Sequence, residues 1–185
     1  MALGCTGFAA AAPNCDVNAT APATARTFAK TSERGAWREY SSIDDVPEMR
    51  LDSGMSAQIW QQKKGTLAVS IVQPGEHFWT ETHYCFRNDG ELEAVSFELR
   101  TTLGWGHRTQ GTVESGTFNV VSEKFFNTKN GKAIPRPRGV GEAPAGLRPR
   151  LFLIFSKLPF ASLLTDRMET RARPADAAST SGSGS

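Results

Sequence analysis

Asn88-Asp89-Gly90 separates two β-rich runs, Phe78–Arg87 and Glu91–Leu103, and it constrains the fold more than any other feature of the chain. Asp-Gly between alternating apolar runs is among the strongest hairpin signals, because both residues accept the positive φ that a tight turn needs. With Asp89-Gly90 as a two-residue loop, Asn88 faces Glu91, Tyr84 faces Val95, Thr82 faces Phe97 and Thr80 faces Leu99. Phe78 and Thr101 extend that apolar face. The other face pairs Cys85 with Ala94, His83 with Ser96, Glu81 with Glu98, and Trp79 with Arg100. Side chains alternate with period two, so a slip of one residue would move the whole apolar set to the wrong face.

The rest of the chain follows the same grammar. Ser56–Lys63 and Thr66–Val72 read as strands joined at Lys64-Gly65, and Gln73-Pro74-Gly75 as a turn. Gly104-Trp105-Gly106 ends the second hairpin strand. Thr112–Thr128 is extended, with Gly116 as a turn or bulge, and Asn130-Gly131 turns the chain into Lys132-Ala133-Ile134. Arg150–Phe155 reads as a strand, and Leu158–Leu164, with Pro159 near its start, as a short helix. Trp37, Tyr40, Ile43, Val46 and Met49 step by three, which suits a short helix or turn at 41–46 capped by Ser41 or Ser42. The expectation is a mainly β domain over 33–168. Six or seven strands form an antiparallel meander, as a curved sheet or small barrel with one or two short helices. A Pro/Gly-rich basic loop occupies 135–149. A flexible arm at 13–32 and a Ser/Gly-rich disordered tail at 169–185 flank the domain.

Charge and cysteines bound the function. The chain of 185 residues carries a net charge of +2, far from the basic excess of a dedicated nucleic-acid binder. Residues 1–12 are small and apolar and end in an Ala run of the kind signal peptidases cleave, without a basic start. They read as a truncated signal segment and the protein as secreted or periplasmic. Ala2-Leu3-Gly4-Cys5 also resembles a lipoprotein cleavage site, with Cys5 as the lipidated residue. Cys15 and Cys85 then remain as a candidate disulfide that ties the N-terminal arm to the sheet. Two unpaired thiols are the alternative.

No motif of hydrolases, zinc proteases, phosphate loops or dinucleotide folds is present, so no residue pattern marks the chain as an enzyme, and no cofactor is expected. One constellation carries a chemical alternative. Glu81 opposite Glu98, with His83 two residues from Glu81, offers a divalent-metal site or a carboxylate acid/base pair for a hydrolase. Arg100, two residues from Glu98 and diagonal to Glu81, offers a simpler outcome: an ion-pair cluster that neutralises both. Trp79, Arg100, Trp105 and His107 are candidates for the mouth of a ligand site, where aromatic walls and a few polar groups are usual.

Gly35-Ala36-Trp37 ahead of a run of strands resembles the Gly-x-Trp start of lipocalin-type barrels. That resemblance implies a barrel whose base is closed by Trp37, with Arg148 or Arg150 stacked on it. Ser32-Glu33-Arg34 lacks the apolar position that the motif expects.

Residues 129–150 hold Lys129, Lys132, Arg136, Arg138, Arg148 and Arg150 against Glu142, a local charge of +5 that leaves −3 in the rest of the chain. Such a loop suits peripheral contact with an anionic envelope surface. No aromatic is interleaved within it, so specific nucleic-acid binding is not expected. The leading functional expectation is an exported domain that binds an apolar or amphipathic ligand on the concave side of its sheet. An envelope accessory protein that pairs through a flat edge strand is the non-catalytic alternative.

Overall fold

The computed structural model describes residues 15–32, 34–47, 54–138, 140 and 148–164. The expected signal segment, Cys5, most of 139–147 and the tail at 169–185 lie outside the described residues. Nine strands form a single antiparallel sheet: β1 (Arg26–Lys30), β2 (Arg38–Tyr40), β3 (Met55–Gln61), β4 (Leu67–Pro74), β5 (Phe78–Phe86), β6 (Leu92–Thr101), β7 (Trp105–Glu114), β8 (Thr117–Asn127) and β9 (Ala133–Ile134). Their order is β2-β1-β3-β4-β5-β6-β7-β8-β9. From β3 onward each strand neighbours the next, as short turns require. The sheet is open, because β2 and β9 form its two edges. The barrel alternative, and the lipocalin-type closure with it, is therefore corrected.

The β5–β6 pairing follows the apolar pattern. Tyr84 opposes Val95, Thr82 opposes Phe97, Glu81 opposes Glu98 and Trp79 opposes Arg100. The loop differs from the expectation. Arg87 rather than Asn88 faces Glu91, and the Gly90 amide donates to the Arg87 carbonyl at 2.9 Å, with Gly90 at φ 84°. The loop thus holds three residues. A bulge at Cys85/Phe86, with Glu93 as the extra residue, returns the strands to the register that buries the apolar face. Burial of the face outweighs the geometry of the turn.

Other boundaries moved for identifiable reasons. Arg26–Lys30, read as part of the arm, is a strand whose central residues Thr27, Phe28 and Ala29 are buried between β2 and β3. Trp105–Glu114 is a full strand, although its glycines read as a break. Ser115 at φ 51° and Gly116 at φ 78° form the tight turn into β8. Gly111 sits at a β7–β8 bulge, where a Cβ would overlap the Asn119 carbonyl oxygen. Residues 41–46 form a turn, not a helix; the Val46 amide donates to Ile43 and the Ser42 hydroxyl to Asp45. The segment at 150–155 is not a strand. It makes one bridge, Glu91 with Ile154, before a 3₁₀ turn at Phe155–Lys157. Of the helix expected at 158–164, residues 158–161 are bends and turns, and only 162–164 are helical.

Both faces of the sheet are covered. Residues 151–164 cross the face that carries Phe28, Ile59, Val69, Ile71, Tyr84, Phe86 and Val95, and bury Leu158 and Phe160 against it. Trp37 packs on Phe160 at 5.0 Å between ring centroids, and Arg150 lies over Phe152, not over Trp37. The opposite face is covered at one end by residues 15–25, which pack on Trp60, Ala68, Cys85 and Ala94. A disulfide between Cys15 and Cys85 fixes that segment, closing a sequence separation of 70.

Candidate functional site

The two faces hold two different kinds of site, and the strand register decides which residue belongs to which. On the face under the N-terminal segment, a polar stripe runs across β4 to β7. The Ser70 hydroxyl donates to Glu81 Oε1 at 3.0 Å, and His83 Nε2 lies 2.8 Å from the same oxygen. Glu98, buried, receives Arg100 Nε at 2.6 Å and Arg108 Nε at 2.6 Å, with a further contact from Arg108 Nη2. Arg100 also lies over the Trp79 ring at 5.3 Å. Gln110, next along β7, donates to Asn18 of the covering segment at 2.5 Å and to Ser96 at 3.3 Å.

Directly opposed carboxylates repel unless something neutralises them. Here each has its own basic partners: His83 for Glu81, and Arg100 with Arg108 for Glu98. The hydrogen bond from His83 is the main cause of a Glu81 pKa below the ordinary carboxylate value. Burial opposes it, and the His83 charge, the Ser70 hydroxyl and Arg100 reinforce it. Among the described residues, no group of three His, Cys, Asp or Glu side chains is placed to hold a metal. The Ser70 hydroxyl, itself buried, is bound to the carboxylate rather than to the imidazole. The arrangement is an ion-pair network around a small cleft of about 210 Å³, with Val17 and Asn18 on its rim.

The structure splits the aromatic candidates. Trp79 and Arg100 belong to the polar stripe. Trp105 and His107 alternate onto the other face, where both pack on Phe125. His107 is 1% exposed; its Nε2 meets Glu123 at 2.7 Å and Thr109 at 3.1 Å, and its Nδ1 has no hydrogen-bond partner. It is a core histidine rather than part of a ligand mouth.

The second site lies on that same face, further along the sheet. A groove of about 360 Å³ opens where 148–159 crosses β1 and β3 to β6. Its apolar wall is built by Trp37, Phe78, Tyr84, Phe97 and Phe152, and its cations are Lys30, Arg148 and Arg150. The Tyr84 hydroxyl donates to the Arg150 carbonyl at 2.8 Å and so ties the crossing segment to β5. Burial raises the Tyr84 pKa above the ordinary phenol value, so the group remains a donor at any physiological pH. Of the expected basic loop, Arg148 and Arg150 join this groove, and Arg136 lies over the Phe125 ring at 5.6 Å. Lys132 and Arg138 are exposed elsewhere.

No family model matches the chain, and neither a curated protein nor a solved structure matches it. The geometry of the molecule therefore carries the functional argument. Sequence reasoning named Arg100, Arg148 and Arg150 but missed Arg108 and Lys30, because both stand on strands hidden by glycine or by low apolar content. Reading Trp105, His107 and Thr109 as one alternating face would have placed Arg108 on the opposite face, without fixing its register against Glu98.

Proposed function

We propose that this protein is an exported binding domain that holds a small apolar or amphipathic ligand in the groove between its sheet and residues 148–159. The observation that carries the reading is the aromatic lining of that groove. Five large side chains from four separate parts of the chain converge on one opening of about 360 Å³, within the usual range of roughly 300–1,000 Å³ for small-molecule sites. Phe78, packed on Gly75, remains 41% exposed there and offers its free ring surface to the groove.

Export rests on one further support. A disulfide joins Cys15 to Cys85, and such bonds persist in oxidising compartments.

The test is native mass spectrometry of the protein recovered from an exporting host, beside a Thr80→Trp variant that fills the groove. A co-purified adduct on the oxidised wild-type chain, absent from the folded variant, is expected. An empty, reduced wild-type chain contradicts both parts of the reading.

A further inference from the structure

The groove has a charge as well as an apolar wall. Its cations come from two directions: Lys30 from β1, and Arg148 and Arg150 from the crossing segment. None of the described residues lining it is acidic. Among the described residues, no carboxylate forms a salt bridge with any of the three. The cations of the opposite face behave differently, since Arg100 and Arg108 both close on Glu98. Three positive charges without a carboxylate partner among the described residues, gathered at an aromatic groove, favour negative over positive or neutral guests. Arginine in particular offers a paired set of donors that matches a carboxylate.

We propose that the ligand is a free single-chain amphiphile with an anionic headgroup, its chain against Phe78, Phe97 and Phe152 and its headgroup between Lys30, Arg148 and Arg150. This deepens the groove reading and rests on it. Arg148 and Arg150 are exposed, so they can be changed without opening the core.

The experiment is calorimetric titration with three dodecyl probes below their micelle concentrations: dodecanoate, dodecyltrimethylammonium and dodecyl maltoside. Each is run on the wild-type protein and on an Arg148→Gln/Arg150→Gln variant. Dodecanoate is expected to bind about tenfold or more tightly than the other two, and the variant to lose that advantage, as one or two charge-assisted hydrogen bonds imply. Equal binding of all three probes, or an unchanged preference in the variant, overturns the anionic assignment and leaves the groove reading standing. Binding of none of them overturns the groove reading itself. Sedimentation with anionic phospholipid vesicles, without binding of free dodecanoate, also overturns the proposal, because the cations would then serve a membrane surface.

Discussion

The Tyr84 hydroxyl and the Arg150 carbonyl oxygen lie 2.8 Å apart across 66 residues of sequence. This bond links the middle strand of the sheet to the segment that roofs the groove. Tyr84→Phe removes the donor and leaves a carbonyl short of a partner, a loss of about 1 kcal/mol. Urea unfolding at neutral pH measures it. The same variant should weaken ligand binding in the groove, because the segment bearing Arg148 and Arg150 loses its anchor.

Phe97 is 4% exposed and stands on the face that the β5–β6 register assigns to the core. Phe97→Ala should cost about 3–5 kcal/mol, the usual range for deleting a buried aromatic ring. A loss below about 1 kcal/mol, the scale of an average substitution, would place the ring on the wrong face.

That register was legible because one face of β5 and β6 reads as a clean apolar stripe. Its loop was not, since a bulge at Glu93 absorbs a residue without disturbing the stripe. β1 and the first half of β7 were hidden for different reasons. Thr27, Phe28 and Ala29 are too few to show a period, and Gly106 and Gly111 look like breaks although close packing against Phe126 and Asn119 demands them. The opposition of Glu81 and Glu98 could be read from pattern alone. The partner that decides its chemistry, Arg108, could not, because it arrives from a strand whose register had no turn signal to fix it. The groove was out of reach for the same reason: its roof crosses the sheet without joining it.

The ion-pair network predicts a pH dependence with a definite sign. The Glu81 pKa is lower in the folded protein than the ordinary value, chiefly through His83. Its contribution to stability is therefore fully present above the ordinary carboxylate value and is lost as pH falls through the lowered one. Glu81→Gln should flatten the acid side of the stability profile, with its full loss in the neutral region and a loss that shrinks as pH falls. Thermal unfolding at several pH values reads this. A profile that keeps its acid slope contradicts the assignment to Glu81.

Glu98 is 8% exposed and neutralises two guanidinium groups. Glu98→Gln should cost about 1–3 kcal/mol, held below the figure for a fully buried pair because both arginines reach solvent. An additional Arg108→Met should recover part of that loss. A double variant that recovers nothing contradicts the unpaired Arg108 charge as a cause of the loss.

The Cys15–Cys85 bond closes a long loop, and its removal in a Cys15→Ser/Cys85→Ser variant should cost about 4 kcal/mol on the chain-entropy account. The packing of residues 15–25 on Trp60 and Ala94 should loosen with it. Hydrogen exchange over that segment distinguishes a loosened cover from a global loss of stability.

The central claim is that the aromatic groove under residues 148–159 is where this protein binds its ligand. Photolabelling tests it most directly, with a dodecanoate analogue that carries a diazirine in its chain, followed by mapping of the adducts. The account predicts saturable labelling confined to peptides containing Trp37, Phe78 to Tyr84, Phe97 and Phe152, displaced by unlabelled dodecanoate. Labelling centred on the exposed Val120 and Val121 of β8, or labelling that never saturates, would contradict it.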